Sequence, residues 1–177
     1  MAPLTLSQVV LPTFTRGLTT LSHILTVAAT HAKSADLDAD AEYAPAQLIA
    51  DMKPLTFQVQ TATTTVRKAL ARLLGAQDAA PAWADDEKTL ADLQARIAST
   101  QALLAAADAA TIDARAAEIV EVPFWGSVYK LAGQDAALKQ AIPNFFFHVQ
   151  TAFAILRAKG VPIGKRDYLS NFFEVPI

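Results

Sequence analysis

The 177-residue chain has 53% hydrophobic and 18% charged residues with only 6 glycines, a composition that can bury its own core and excludes disordered and collagen-like classes. A formal charge of −2 with 15 scattered Lys and Arg residues offers no basic field to a phosphate backbone, so no nucleic-acid partner is expected. The lack of cysteine removes disulfide frameworks, thiolate nucleophiles, zinc ribbons and iron–sulfur clusters.

The start, Met1-Ala2-Pro3-Leu4-Thr5-Leu6, has no positively charged leader, and no apolar run approaches the roughly 18 residues of a membrane span. The reading is a cytoplasmic chain without a membrane partner, folded as one domain over residues 1–177. Val10, Phe14, Leu18, Leu21, Leu25 and Ala28 recur at spacings of three and four, which predicts an amphipathic helix over residues 7–31. The acidic stretch 33–40 breaks the period and leads to Pro45, a connection with room for one helical turn. A second helix is predicted from Pro54 through Leu55, Val59, Ala62, Val66, Ala69 and Leu73, stopped by Gly75. After an alanine-rich link around Pro81, Leu90, Leu93, Ile97 and Leu104 mark a third helix, with Asp85, Asp86 and Glu87 expected to favour its N-terminus. The alanine-rich run 102–117 is helix-compatible.

Between residues 118 and 131 the period falls to two around Pro123-Phe124-Trp125-Gly126, which predicts a small β-hairpin. A last helix is expected over residues 134–159, broken or kinked at Pro143, with Leu138, Phe145, Val149, Ala152 and Leu156 on one face and Gly160 as its stop. Four long apolar stripes bury one another best as an all-α four-helix bundle with the hairpin before the last long helix.

A helical residue advances about 100°, so polar side chains can be placed relative to these stripes. His23 falls opposite its stripe and His31 at its edge, and both are expected in solvent. His148 and Asn144 share the inner face with Phe145 and Val149, and Gln58 falls among Leu55, Val59 and Ala62, while Gln60 points away. Gln58, Asn144 and His148 are therefore expected to converge, either as a satisfied polar network or as a pocket. In the pocket, His148 exchanges a proton near neutral pH while Asn144 and Gln58 orient a substrate carbonyl or hydroxyl. Phe146 and Phe147 point away from this stripe, toward another helix, the hairpin or a second subunit, and a homodimer is expected. Gly164-Lys165-Arg166-Asp167-Tyr168 lacks the preceding glycine and strand of a phosphate loop and reads as a helix start or salt-bridged anchor. Serine-nucleophile, zinc-protease and dinucleotide motifs are missing.

The segment Pro143-Asn144-Phe145-Phe146-Phe147-His148, followed by Leu156-Arg157, Gly160 and Gly164-Lys165-Arg166-Asp167-Tyr168, resembles an uncharacterised branch of the DinB/YfiT-like superfamily, a domain-of-unknown-function family. Asp51-Met52-Lys53-Pro54-Leu55 with Gln58-Val59, and the pattern from Pro12 to Leu25, extend the resemblance over nearly the whole chain. The resemblance implies an up-down-down-up four-helix bundle, often dimeric, related to metalloenzymes that include thiol-dependent transferases and isomerases. It also implies a metal held by three histidines, one on the second helix and two in a His-x-x-x-His on the fourth. Counting back from Leu156, Arg157 and Gly160, the pair on the fourth helix falls on Asn144 and His148, and the ligand on the second helix falls at or near Gln58. Two carboxamides bind zinc or nickel poorly beside imidazole, so the implied metal site is degenerate.

The leading expectation is a DinB-like protein without metal or other cofactor that binds a small organic molecule and catalyses proton transfer, isomerisation or cyclisation through His148. Trp125 and Tyr129 would cover the pocket, with Asp51 and Arg157 supplying charge. A second reading keeps a divalent metal, with His148 joined by Asp51 or water. A third is a non-enzymatic, dimeric, stress-related protein.

Overall fold

Thr5 and Gln8 form a reciprocal capping box that starts helix α1, Leu6–Ser34, in a computed structural model that describes residues 3–76 and 83–173. Every residue of the predicted first stripe is buried. The acidic connection contains one short helix, α2 (Ala39–Tyr43), capped by Asp38. Pro54 stands at the N-cap of α3, Leu55–Leu73, one position before the expected first turn. Gly75 follows its C-cap in the left-handed region at φ 70°, a conformation glycine adopts without a Cβ penalty. The link around Pro81 lies outside the described residues, as do Met1 and Ala2 of the leader reading.

Helix α4, Leu90–Ala105, is capped by Thr89 and Asp92 rather than by the acidic run expected there. Asp85 and Glu87 instead reach Arg96, each at 2.7 Å, because a buried guanidinium gains more from them than an already capped helix end does. The alanine-rich run 102–117 is not one helix. Asp108 caps a separate α5, Ala109–Ala114, whose Asp113 accepts from the Ser7 N–H and hydroxyl at the start of α1.

Strands β1 (Ile119–Phe124) and β2 (Ser127–Ala132) pair antiparallel from Ile119↔Ala132 to Phe124↔Ser127. Trp125 and Gly126 both have positive φ, the two-residue turn whose twist matches the strands. On β1 the inward residues Val120 and Val122 pack on Ala136 and Leu131 in a small satellite core, and the alternate residues face outward.

The last predicted helix is divided. A turn at Gly133–Asp135 (α6) leads into π-helical Ala136–Ala141, and α7 spans Ile142–Ala158 with Pro143 in its first turn, where a missing N–H matters least. The wider π turns change the angular step per residue, and Leu138, expected inside, is 44% exposed. Gly160 ends α7 as expected, at φ 85°. Helix α8, Lys165–Phe173, covers the second aromatic face: Phe172 meets Phe146 and Tyr168 meets Phe153 at 5.8 and 5.6 Å between ring centroids. Phe147 remains 60% exposed.

Helix α1 packs on α4, α7 and α8, and α3 packs on α4 and α7, enclosing a core in which Phe14 meets Phe145 edge to face. Two histidines depart from their expected solvent positions. His23 Nε2 pairs with Asp167 at 3.1 Å, and Asp167 also accepts the Gly164 N–H, which makes the Gly164–Tyr168 segment the anchor of α8 on α1. His31 bonds the hydroxyl of the buried Tyr43 at 2.8 Å. Among the described residues no helix is long and apolar enough to cross a membrane.

Gly17 of α1 lies against the fully buried Phe145 ring so closely that a Cβ would overlap Cε1 and Cζ. Gly17→Ala is expected to destabilise the protein by about 1–3 kcal/mol through overpacking, although alanine is the better helix former by about 1 kcal/mol. Urea unfolding of the variant, with Gly17→Ala/Phe145→Leu recovering part of the loss, measures this.

Candidate functional site

The second long helix, α3, supplies one side of the site. Gln58, 2% exposed, donates from Nε2 to the Lys53 carbonyl at 2.9 Å, and its Oε1 stands 2.8 Å from His148 Nδ1 on α7. Because the Lys53 oxygen only accepts, the amide orientation is fixed, and Oε1 in turn requires a proton on Nδ1. His148 is therefore the Nδ1–H tautomer with its lone pair on Nε2. Nε2 has no protein partner among the described residues and is not sealed from solvent. Phe57 and Phe147 contact the ring edge to face. Burial pushes the imidazole down to about 4 from its usual 6.5, since desolvation disfavours the charged form. At neutral pH the uncharged ring therefore presents Nε2 as an acceptor.

Asn144 lies one turn earlier on α7 and pairs with Thr65 on α3, Nδ2 to Oγ1 at 2.8 Å, rather than with Gln58 or His148. The two pairs, Gln58 with His148 and Thr65 with Asn144, run antiparallel along α3 and α7. Beside the second lies a groove of about 830 Å³. Thr61, Thr64, Thr65, Arg67, Lys68 and Arg72 of α3 line one wall, the outward face of β1 forms another with Ile119, Glu121 and Pro123, and Gln140 and Asn144 close the third. Arg72 is half-buried, donates from Nε to the Glu121 carbonyl at 3.2 Å, and is shifted down by burial.

On its other side α3 meets Arg96 of α4. This buried guanidinium donates to Thr63 and Thr64 hydroxyls at 2.7 Å and to the Gln60 carbonyl, holds Asp85 and Glu87, and stacks on Trp83 at 4.5 Å. Gln60, expected to point away from the apolar stripe, is buried on the side of α3 that faces α4, where it donates from Nε2 to Glu87 at 2.8 Å.

The other expected site residues lie elsewhere. Asp51 is exposed in the loop before α3. Trp125, 90% exposed at the hairpin tip, stacks on Phe124, and Tyr129 is exposed on β2, so neither covers His148. Arg157 donates to the Val161 carbonyl and closes the turn after α7. Position in the sequence does not fix where a loop or hairpin docks.

The metal implied by the resemblance needs several donors with converging free lone pairs. Here Gln58 uses Oε1 on His148, Asn144 is turned to Thr65, and one imidazole nitrogen is left. Among the described residues no group of three His, Asp or Glu side chains could share an ion. The residues do not fit a resident divalent metal. Arg72, Lys68, Thr65 and Gln140 were missed by sequence reading. One signal was present: Thr61, Thr63, Thr64 and Thr65 crowd a single helical turn, a choice that lowers helix propensity and calls for partners.

Residues 6–169 match a family described as a domain of unknown function, DUF1993. The chain is also similar to a solved structure, the crystal structure of a DinB family member protein from Shewanella denitrificans, at 38% identity and a TM-score of 0.81 over 94% of this chain and 89% of that one. No curated protein matches.

The depressed imidazole pKa has a signed consequence. The folded protein binds fewer protons at His148 than the unfolded chain between pH 6.5 and about 4, so this contribution is complete above 6.5 and is lost as pH falls toward 4. It amounts to about 3 kcal/mol at most. Urea unfolding at pH 7 and pH 4 should show a loss in the wild type that is smaller by that amount in His148→Gln.

Proposed function

The chain belongs to the DUF1993 family of DinB-like proteins, and from that premise we propose that it binds a small organic molecule without a resident metal. The proposed architecture is one domain over residues 1–177, an up-down-down-up four-helix bundle of α1, α3, α4 and α7. Contacts of Ser22 with Gln94 and of Thr19 with Gln101 run α1 antiparallel to α4, and the pairs above do the same for α3 and α7, which supports that order. The observation that carries the functional reading is the groove, whose volume falls within the roughly 300–1,000 Å³ of small-molecule sites and whose wall contains Asn144. Polar groups converge there from three elements, the arrangement that fixes a ligand's orientation.

His148 stands one helical turn from Asn144, about 6 Å along α7. In this reading a proton transfer, isomerisation or cyclisation begins with the neutral ring as base at Nε2, while Gln58 holds the tautomer. A homodimer belongs to the same reading and is supported by the exposed rings of Phe57 and Phe147.

Thermal-shift screening of a metabolite library is the test. A ligand is expected to raise the melting temperature of the wild type, and Asn144→Leu is expected to remove that shift while leaving the far-ultraviolet spectrum unchanged. Stoichiometric metal in protein purified without chelator, lost in His148→Ala, would instead favour a divalent-metal enzyme. If no ligand acts, and Asn144→Leu and His148→Phe change stability alone, the polar pairs belong to a non-enzymatic dimeric protein.

A further inference from the structure

The walls of the groove beside Asn144 differ in chemistry. Lys68 and Arg72 approach it from α3, beside the acidic lining residue Glu121, in a chain whose net charge is −2. Glu121 also lies within 3.9 Å of Lys130 across the hairpin. Arg72 forms no ion pair with a carboxylate among the described residues, and its one bond, from Nε to a backbone carbonyl, leaves the outer edge of the guanidinium fork for another acceptor. Lys68 is exposed at the rim, also without an ion pair among the described residues. The facing wall is apolar at Ile119, Pro123 and Phe124. Between them, Gln140 Oε1 is buried with no hydrogen-bond donor among the described residues, and buried acceptors in folded proteins nearly always have one.

We propose that this groove is a binding site for a small apolar carboxylic acid that also carries a hydroxyl or amine donor. The carboxylate lies against Arg72 and Lys68, the apolar body against β1, and the donor on Gln140 Oε1. A planar guanidinium matches a carboxylate through two parallel N–H bonds, and partial burial strengthens the pair relative to one in water. Inorganic phosphate meets the cations and leaves both the apolar wall and Gln140 unused. The assignment rests on the small-molecule reading above and adds the class of ligand.

Titration of isotope-labelled full-length protein at low ionic strength with mandelate, phenylacetate, mandelamide and phosphate separates the parts. Mandelate is expected to bind with shifts at Thr65 and Asn144. Phenylacetate, without the hydroxyl, and mandelamide, without the charge, are each expected to bind about tenfold more weakly. Arg72→Gln and the exposed Lys68→Gln should each weaken mandelate by about five- to tenfold, and Gln140→Leu should erase the preference for mandelate over phenylacetate. Lys68→Gln keeps the test valid if Arg72→Gln fails to fold. Equal binding of mandelamide and mandelate, or wild-type affinity in both cation variants, overturns the acid assignment while leaving the groove a ligand site. Phosphate binding as tightly as mandelate overturns the apolar part of the assignment. If none of the four shifts groove residues at millimolar concentration, the acid assignment falls, while the small-molecule reading is decided separately by the metabolite screen.

Discussion

Helix α3 is buried round most of its circumference, and desolvation of its polar side chains governs the arrangement around it. Its apolar positions Leu55, Val59, Ala62, Val66 and Leu73 face the core, yet Gln58, Gln60, Thr63, Thr65 and Arg67 are buried as well. An amide or hydroxyl removed from water without a partner loses roughly 1–3 kcal/mol, so neighbouring segments must supply partners. His148 answers Gln58, Glu87 answers Gln60, Arg96 answers Thr63, and Asn144 answers Thr65. These pairs fix how α4 and α7 sit on α3, and the groove opens where α3 turns its threonines and cations toward the hairpin.

The same constraint divides the chemistry along the helix. At the Gln58 end the imidazole is uncharged at neutral pH and its Nδ1 proton is committed to an amide oxygen. At the Arg72 end the protein gathers positive charge beside a two-stranded hairpin whose outward residues have no second sheet among the described residues to pack on. A satellite core of Val120, Val122 and Ala136 holds that hairpin to the π-helical segment, which is why a strand pair too small to be stable alone can still form a wall.

The sequence made some of this legible through periodicity. The stripes of α1, α3, α4 and α7 marked the long helices, and the period-two run with Trp125-Gly126 marked the hairpin, because burial repeats with the geometry of each element. Face counting also placed Gln58 and His148 inside and brought them together. It failed at Gln60 because it assumes one buried stripe per helix, whereas α3 is covered from two sides by α4 and α7. It failed at Leu138 because π turns do not advance by 100°. It passed over Arg96 and Arg72 because a cation on a helix usually lies in solvent, and only tertiary contacts with Glu87, Thr63 or the Glu121 carbonyl reveal otherwise. The covering role given to Trp125 failed for a related reason: the turn sequence fixes the hairpin's twist and leaves its docking open.

Gln58 clarifies what separates this site from a metal centre. A metal-binding imidazole commonly donates its second nitrogen's proton to an outer acceptor that fixes tautomer and ring direction. The Gln58 oxygen performs that service for His148, and the Lys53 carbonyl fixes the amide in turn. Gln58 thus supports the imidazole at a position where the resemblance implies a ligand. An oxygen that accepts the Nδ1 proton from one side is poorly placed to donate a lone pair to a cation bound at Nε2 on the other. With Gln58 holding His148 and Asn144 turned toward Thr65, these side chains form two separate helix-to-helix bonds rather than one converging donor set. The functional surface then has to be sought where α3 carries Lys68 and Arg72, about three to four turns further along the helix than Gln58, rather than at the imidazole alone.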